Sequence, residues 1–481
     1  KRQSGARAIF KMEKRGGHKM VNEKLKYVSI SVKDVIASGY RLDARFYNIE
    51  GIFAKEQLKK SKWEIINLWS ENGLIKNAFY PGRFKRLYVK KGKGIPMILP
   101  SQMMALIPKP TKFISEKTKF PLHTLKVNEK TLLLSRSGTI GNCTIVSKTL
   151  KGKTLSDDVI RISFRNEIDL GYVYCYVKSK IGNLVLSLNN YGSVIRHIEP
   201  EHLYKVPIPN PPDHIKKPIH DLIMQSYDLR DQYNDLIQEA EKLLIEELQL
   251  PPIEQLEKEE DYYDKKAGFI NMSVPVSELN MRFDASYHLP IVKKIIAHLE
   301  KYAQDVALLG NLSKKITMPG IFKRVYVNNS KWGIPFLGSK DILQLSPTLK
   351  KFLSITYHKK MIDSELKVKQ NTILITNRGT IGNVILVPEY FEKWAISQNS
   401  LRIIPKTENL AGYLFCFLNS IYGKTLIKRE TYGAVVDMID PTNASAILIP
   451  ILKNQQTQKR INELALQANK SVSYTHRRCR R

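Results

Sequence analysis

Apolar and small residues recur in alternating steps of four and three between Asp213 and Leu250: Ile215, Ile219, Leu222, Ser226, Leu229, Tyr233, Leu236, Ala240, Leu243 and Leu250, with Glu247 the one charged interruption. That spacing predicts a long helix with a heptad seam. At about 1.5 Å per residue it is roughly 55 Å long, more than a globular domain needs internally, so it is expected to act as a strut. A buried core helix is the plainer alternative. Pro211-Pro212 precedes the run and Pro251-Pro252 closes it, because proline lacks the amide hydrogen and restricts the residue before it. After Pro450, Ile461, Leu464 and Ala468 repeat Ile219, Leu222 and Ser226 with one residue inserted. This second seam fades near Val472 and leaves 474–481, with Arg477-Arg478 and Arg480-Arg481, as a basic tail. Two such helices are expected to pair antiparallel.

Short apolar and β-branched runs have a different character. Thr131 to Ser135 and Cys143 to Val146 flank a turn holding Gly138 and Gly141, and Thr372 to Thr376 with Val384 to Val387 repeats the arrangement. Strand, tight loop, strand is the expectation, with the glycines supplying positive φ or close backbone approach. The bland reading is a turn that merely holds two core strands. The repetition extends along the chain. Arg41-Leu42-Asp43-Ala44 returns as Arg282-Phe283-Asp284-Ala285, an offset of 241. Pro81-Gly82-Arg83-Phe84-Lys85-Arg86-Leu87-Tyr88-Val89 returns as Pro319-Gly320-Ile321-Phe322-Lys323-Arg324-Val325-Tyr326-Val327. Ser135-Arg136-Ser137-Gly138-Thr139-Ile140-Gly141-Asn142 returns as Thr376-Asn377-Arg378-Gly379-Thr380-Ile381-Gly382-Asn383, and Tyr191-Gly192 as Tyr432-Gly433. Collinear matches with so little drift indicate a duplicated domain. The expected fold class is α/β (α+β), with more strand than helix within each copy: two tandem similar domains separated by long helices forming an antiparallel coiled coil. The boundaries expected are a basic arm at 1–30, a first domain at 31–210, a spacer helix at 211–252, a linker at 253–272, a second domain at 273–450, a shorter helix at 451–473 and the tail at 474–481.

Charge then narrows the partner. Lys plus Arg number 77 against 45 Asp plus Glu, a formal net charge of +32, which points to a polyanion such as nucleic acid. A membrane surface fits less well, because no run of about 18 apolar residues and no strongly amphipathic basic helix stands out. Cys143, Cys175, Cys416 and Cys479 lack metal-ligand or disulfide spacing, so no metal site is expected. The first residues lack the apolar core of a secretory signal, which predicts a cytoplasmic protein with a mobile N-terminal arm.

The Gly-Thr-Ile-Gly turns at 138–141 and 379–382, the Ile208-Pro209-Asn210-Pro211-Pro212 run into the long helix, and two domains each followed by a helix together resemble the specificity subunit of type I restriction-modification systems. The resemblance covers nearly the whole chain from about Ser31. It implies a non-catalytic subunit that reads double-stranded DNA, in which each domain recognises one half of a split site and paired helices fix the unread spacer. It also implies docking on adenine methyltransferase subunits, which bind S-adenosylmethionine, and optionally on a translocase-nuclease subunit that uses ATP and Mg. No cofactor is expected on this chain itself. The short second helix departs from the family pattern. The alternatives are a specificity subunit of another multi-subunit restriction system, or a single-chain DNA nuclease or methyltransferase.

In such a reader, Lys and Arg on phosphates supply affinity and a few side chains at base edges supply specificity. Arg83, Lys85, Arg86, Lys323 and Arg324 are the leading DNA-contact candidates, since they recur in both copies beside Pro-Gly turns and alternate with Phe84, Tyr88, Phe322 and Tyr326. A strand with basic residues outward and aromatics inward explains the alternation without DNA. Arg136, Ser137, Tyr191, Arg196, Asn377, Arg378 and Tyr432 form a second set, with Arg136 and Arg378 expected on the rim of the glycine loop. No catalytic residue is expected. Asn210-Pro211-Pro212-Asp213 resembles the Asn-Pro-Pro-aromatic motif of amino-methyltransferases, but the aromatic is missing and proline at a helix start accounts for the sequence. Glu365-Leu366-Lys367 near Asp363 has the look of a nuclease motif, yet the first copy reads Thr124-Leu125-Lys126.

Overall fold

A computed structural model describes residues 7–9, 27–29, 31–37, 40, 49–138, 140–188, 197–256, 272–279, 281–347, 351–433 and 436–478. Arg41 to Tyr47, Tyr191, Arg196 and most of the basic arm lie outside them. Within the arm, Arg7–Ile9 pairs antiparallel with Tyr27–Ser29. The chain divides into two compact units, Lys1–Met103 with Lys109–Met224, and Met104–Pro108 with Gln225–Arg481.

In chain order the first unit holds α1 (Ile49–Lys59), β1 (Ile65–Asn67), β2 (Ile75–Phe79), β3 (Tyr88–Val89), β4 (Ile95–Ile98), β5 (Lys112–Ile114), β6 (Leu132–Ser135), β7 (Cys143–Ile145), β8 (Thr154–Leu155), β9 (Val159–Phe164), α2 (Glu167–Lys178), α3 (Lys180–Leu188), β10 (Pro207–Pro209) and the start of α4 (Asp213–Glu247). One sheet runs β2-β9-β6-β7, a second β8-β4-β5-β3, and β10 pairs with β1. The second unit holds α5 (Pro290–Tyr302), β11 (Asp305–Leu308), β12 (Ser313–Thr317), β13 (Tyr326–Val327), β14 (Gly333–Leu337), β15 (Phe352–Ser354), β16 (Ile373–Thr376), β17 (Val384–Leu386), β18 (Ala395–Ile396), β19 (Ser400–Pro405), α6 (Glu408–Asn419), α7 (Ile421–Arg429), β20 (Leu448–Ile451) and α8 (Gln455–Arg478). Its sheets run β12-β19-β16-β17 and β13-β15-β14-β18, with β11 paired to β20. Each of β1–β10 thus has a counterpart among β11–β20, and the register agrees: Val159 faces Ser135 as Ser400 faces Thr376.

The shared details reach single atoms. The Tyr172 hydroxyl donates to the Pro209 carbonyl at 2.6 Å, and the Tyr413 hydroxyl to the Pro450 carbonyl at 2.5 Å. The amide of Gly171 donates to His220 Nδ1 at 3.3 Å and that of Gly412 to Asn462 Oδ1 at 2.7 Å, so α4 and α8 start on equivalent contacts with α2 and α6. The shift from an offset of 241 to one of 242 between these residues marks the inserted residue. Arg161 and Arg402 are buried and donate to backbone carbonyls, and burial lowers both to about 10.

The long helix forms, but its buried line differs from the apolar seam. Ser226, Tyr233 and Ala240 are buried as expected, whereas Ile215 and Leu222 are 37% and 36% exposed and Leu229, Leu236 and Leu243 are half-buried. In their place Ile223, Arg230, Ile237 and Leu244 are buried, a turn of about 100° around the axis. Polar residues on that face find dedicated acceptors. Arg230 donates to the Ala105 carbonyl at 2.6 Å and Asn234 to that of Leu106 at 3.0 Å. A pattern that scores only apolarity passes over such positions.

The second helix runs to Arg478, into the stretch expected as a tail. Arg460 pairs with Glu239 at 3.1 Å, and the Asn454 amide donates to Glu247 at 3.3 Å, so α8 is antiparallel to the part of α4 within the second unit. Ile461, Leu464, Ala468 and Val472 share one core with Tyr233, Ile237, Ala240 and Leu244.

Candidate nucleic-acid interface

The Pro-Gly segment is extended coil from Pro81 to Leu87 that enters the two-residue strand β3, rather than a long strand. Phe84 turns inward, stacks on Phe120 at 4.1 Å and packs on Met97, Ile114 and Leu125. Phe322 does the same on Phe336, Leu353 and Leu366. Arg83, Lys85, Lys323 and Arg324 point outward and are exposed. The tyrosines do not turn inward as the DNA-free alternative requires: Tyr88 is 47% and Tyr326 41% exposed. Each lies beside a lysine, Lys112 at 5.4 Å and Lys351 at 5.7 Å from the ring centre. These lysines, the first residue of β5 and the residue just before β15, were missed by the sequence reading because nothing around them in the chain marks them as neighbours of the Pro-Gly segment. Their recurrence at matching positions is the signal that could have found them.

Arg86 and Arg324 occupy equivalent positions with different partners. Arg86 donates from Nε and Nη2 to Asp157 Oδ1, at 3.0 and 2.6 Å. Burial works against its charge, but Asp157 outweighs it and raises the pKa above the ordinary arginine value. Asp157 is replaced by Gln398 in the second unit, where Arg324 lies over Phe322 and Phe336 at 5.9 and 5.6 Å.

The glycine loops behave alike. Gly138 and Gly141 have φ of 76° and 85°, and Gly379 and Gly382 of 73° and 82°, a region L-residues rarely adopt. Arg136 does not sit on the rim of its loop. It is buried over the Tyr80 ring, donating to Asp158 at 3.2 Å and to both oxygens of Glu199. Desolvation opposes its charge, and the two carboxylates more than offset this, so its pKa is raised. Asn377, its counterpart, is also buried, at 2% exposure. Both lie inside because their backbones tie the loop to neighbouring chain: the Ile198 amide donates to the Arg136 carbonyl, and that of Ile439 to the Asn377 carbonyl. Ser137 is half-buried and donates to Asp158 at 2.7 Å, with His197 Nδ1 at the same distance. Ser137 and Asp158 border a cleft of about 340 Å³ together with Arg86 and Asn142. Arg378 and Tyr432 are exposed.

Residues 306–464 match the family model described as Type I restriction modification DNA specificity domain. The second unit carries a type I specificity domain. The first repeats its fold strand for strand. The chain is similar in solved structures to a type I restriction-modification S subunit from M. genitalium, at 13% identity over 86% of this chain and 95% of that one, with a TM-score of 0.29. It is also similar to an HsdS subunit from Thermoanaerobacter tengcongensis, at 14% identity over 86% and 91% of the two chains, with a TM-score of 0.25. No curated protein matches the chain. The nuclease-like residues beside the specificity domain's β15–β16 connection serve local structure: Lys367 pairs with Asp363 at 2.9 Å, and Glu365 accepts from the Gly320 amide at 3.1 Å.

Proposed function

We propose that the chain is the non-catalytic DNA-reading subunit of a type I restriction-modification complex. Each domain, 31–210 and 273–450, reads one half of a split site, and the helices set the unread spacer. The observation that carries this reading is the match at 306–464 to a DNA specificity domain in a chain that holds the same fold twice. The net charge of +32 and the exposed Arg83, Lys85, Lys323 and Arg324 at matching positions support a phosphate-contacting face. Ser137, Arg378 and Tyr432 border the loops where base contacts are sought. Arg86, Arg136 and Asn377 act from within, Arg136 and Asn377 by shaping those loops. Adenine methyltransferase subunits carrying S-adenosylmethionine, and optionally an ATP-driven translocase-nuclease subunit, are the partners of this reading.

The test is to reconstitute the chain with its methyltransferase and map methylated adenines. Arg83→Ala with Lys85→Ala weakens the first half-site and leaves the second half-site preference unchanged. A joint shift of both preferences, or methylation independent of this chain, defeats the reading.

A further inference from the structure

The first unit contains a polar cleft of about 600 Å³ lined by residues that its duplicate does not repeat. Asp169 on α2, Asn210 after β10, and Asp213 and Lys216 at the start of α4 line it, with Glu71 and Arg165. Lys216 and Asp169 form an ion pair at 3.1 Å with side chains 5% and 1% exposed. Only Asp169 Oδ1 is engaged by Lys216. Asp169 Oδ2 and Asn210 Oδ1 are buried oxygens with no hydrogen-bond donor. Burial raises the Asp169 pKa, and Asp213 pushes it the same way against the pull of Lys216.

The duplicate supplies a control that most folds do not offer. At the positions of Asp169, Asn210 and Lys216 the second unit has Leu410, Ile451 and Gln458. There Leu410 packs on the main core, and Gln458 Oε1 accepts from the Leu452 amide at 3.0 Å. The same strands and helices therefore form without the buried pair, and a buried ion pair is generally no more stabilising than apolar side chains in its place. Folding gives no reason to keep two acceptors waiting under a cleft. What the acceptors lack is a donor, and the cleft's three carboxylates against two cations favour a positive one.

We propose that this cleft binds a primary ammonium group, which donates to Asp169 Oδ2 and Asn210 Oδ1. The group can come from a free polyamine or from a lysine side chain of a partner protein. Polycations have no general attraction to a chain of net charge +32, so saturable binding isolates the site.

The experiment is equilibrium dialysis of the full chain against spermidine and, separately, Nα-acetyl-lysine methylamide. One saturable site is expected for at least one of them, and spermidine alone assigns a free polyamine whereas the lysine amide alone assigns a side chain. Asp169→Leu with Asn210→Ile and Lys216→Gln installs the second unit's own residues and is expected to weaken binding by more than about tenfold while the chain melts as before. Asn210→Ala, at a half-buried position, is expected to weaken it with even less risk to folding. Absence of binding of both probes at millimolar concentration, or equal binding by the triple variant, overturns the proposal, and neither result bears on DNA reading.

Discussion

The two units share their strands, sheet orders and glycine-loop geometry, yet they place charge differently. In the first, Arg86 is tied to Asp157, Arg136 to Glu199 and Asp158, and Lys216 to Asp169. In the second the corresponding positions hold Arg324 on aromatic rings, a neutral Asn377, and the uncharged Gln458 and Leu410. The fold is indifferent to these networks, since it forms with and without them. What varies between duplicates is therefore free to serve recognition, while what they hold in common serves the scaffold.

The largest asymmetry lies at the glycine loop. Arg136→Ala leaves Glu199 and Asp158 facing each other without their cation and is expected to cost about 3–5 kcal/mol. Asn377→Ala is expected to cost only about 1 kcal/mol. Urea unfolding that finds equal losses breaks the comparison. Next comes a symmetry. A Cβ on Gly182 would lie 1.9 Å from the Tyr176 carbonyl oxygen, and one on Gly423 2.1 Å from that of Phe417. Gly182→Ala and Gly423→Ala should each destabilise by about 2–3 kcal/mol, and thermal melts in which only one responds contradict a shared scaffold. Smaller still is Tyr176→Phe. Its hydroxyl donates to the Pro207 carbonyl at 2.5 Å, and the duplicate already has Phe417. A loss of about 1 kcal/mol is expected in the same assay, and a much larger one means the hydroxyl holds more than this strand end. The smallest effect concerns DNA. Asp157→Gln gives the first unit the second unit's residue and releases Arg86. The salt dependence of binding at the first half-site should then steepen by about 0.9 in the log–log slope, and an unchanged slope means Arg86 does not reach phosphate.

Much of this architecture was legible in residue order. Gly138 and Gly141 announced a strand-loop-strand unit because glycine pairs at fixed spacing reflect backbone demands, which are local. The long helix was legible because its period persists over many turns. The side of that helix that packs was half misread, since Arg230 and Asn234 are buried through carbonyls far away in the chain. The alternative that put the aromatics inward rested on strand alternation, and the coil at 81–87 does not alternate as a strand does.

Periodicity and a constant offset are properties of a line of residues, so duplication and the long helix followed from the line alone, whereas the expected excess of strand over helix within each copy does not hold among the described residues. The pairing of Arg86 with a carboxylate 71 positions away, the burial of Arg136, and the cleft around Asp169 emerged only on folding. Charge partners depend on distances through space, and the same sequence spacing in the two units ends at Asp157 in one and Gln398 in the other.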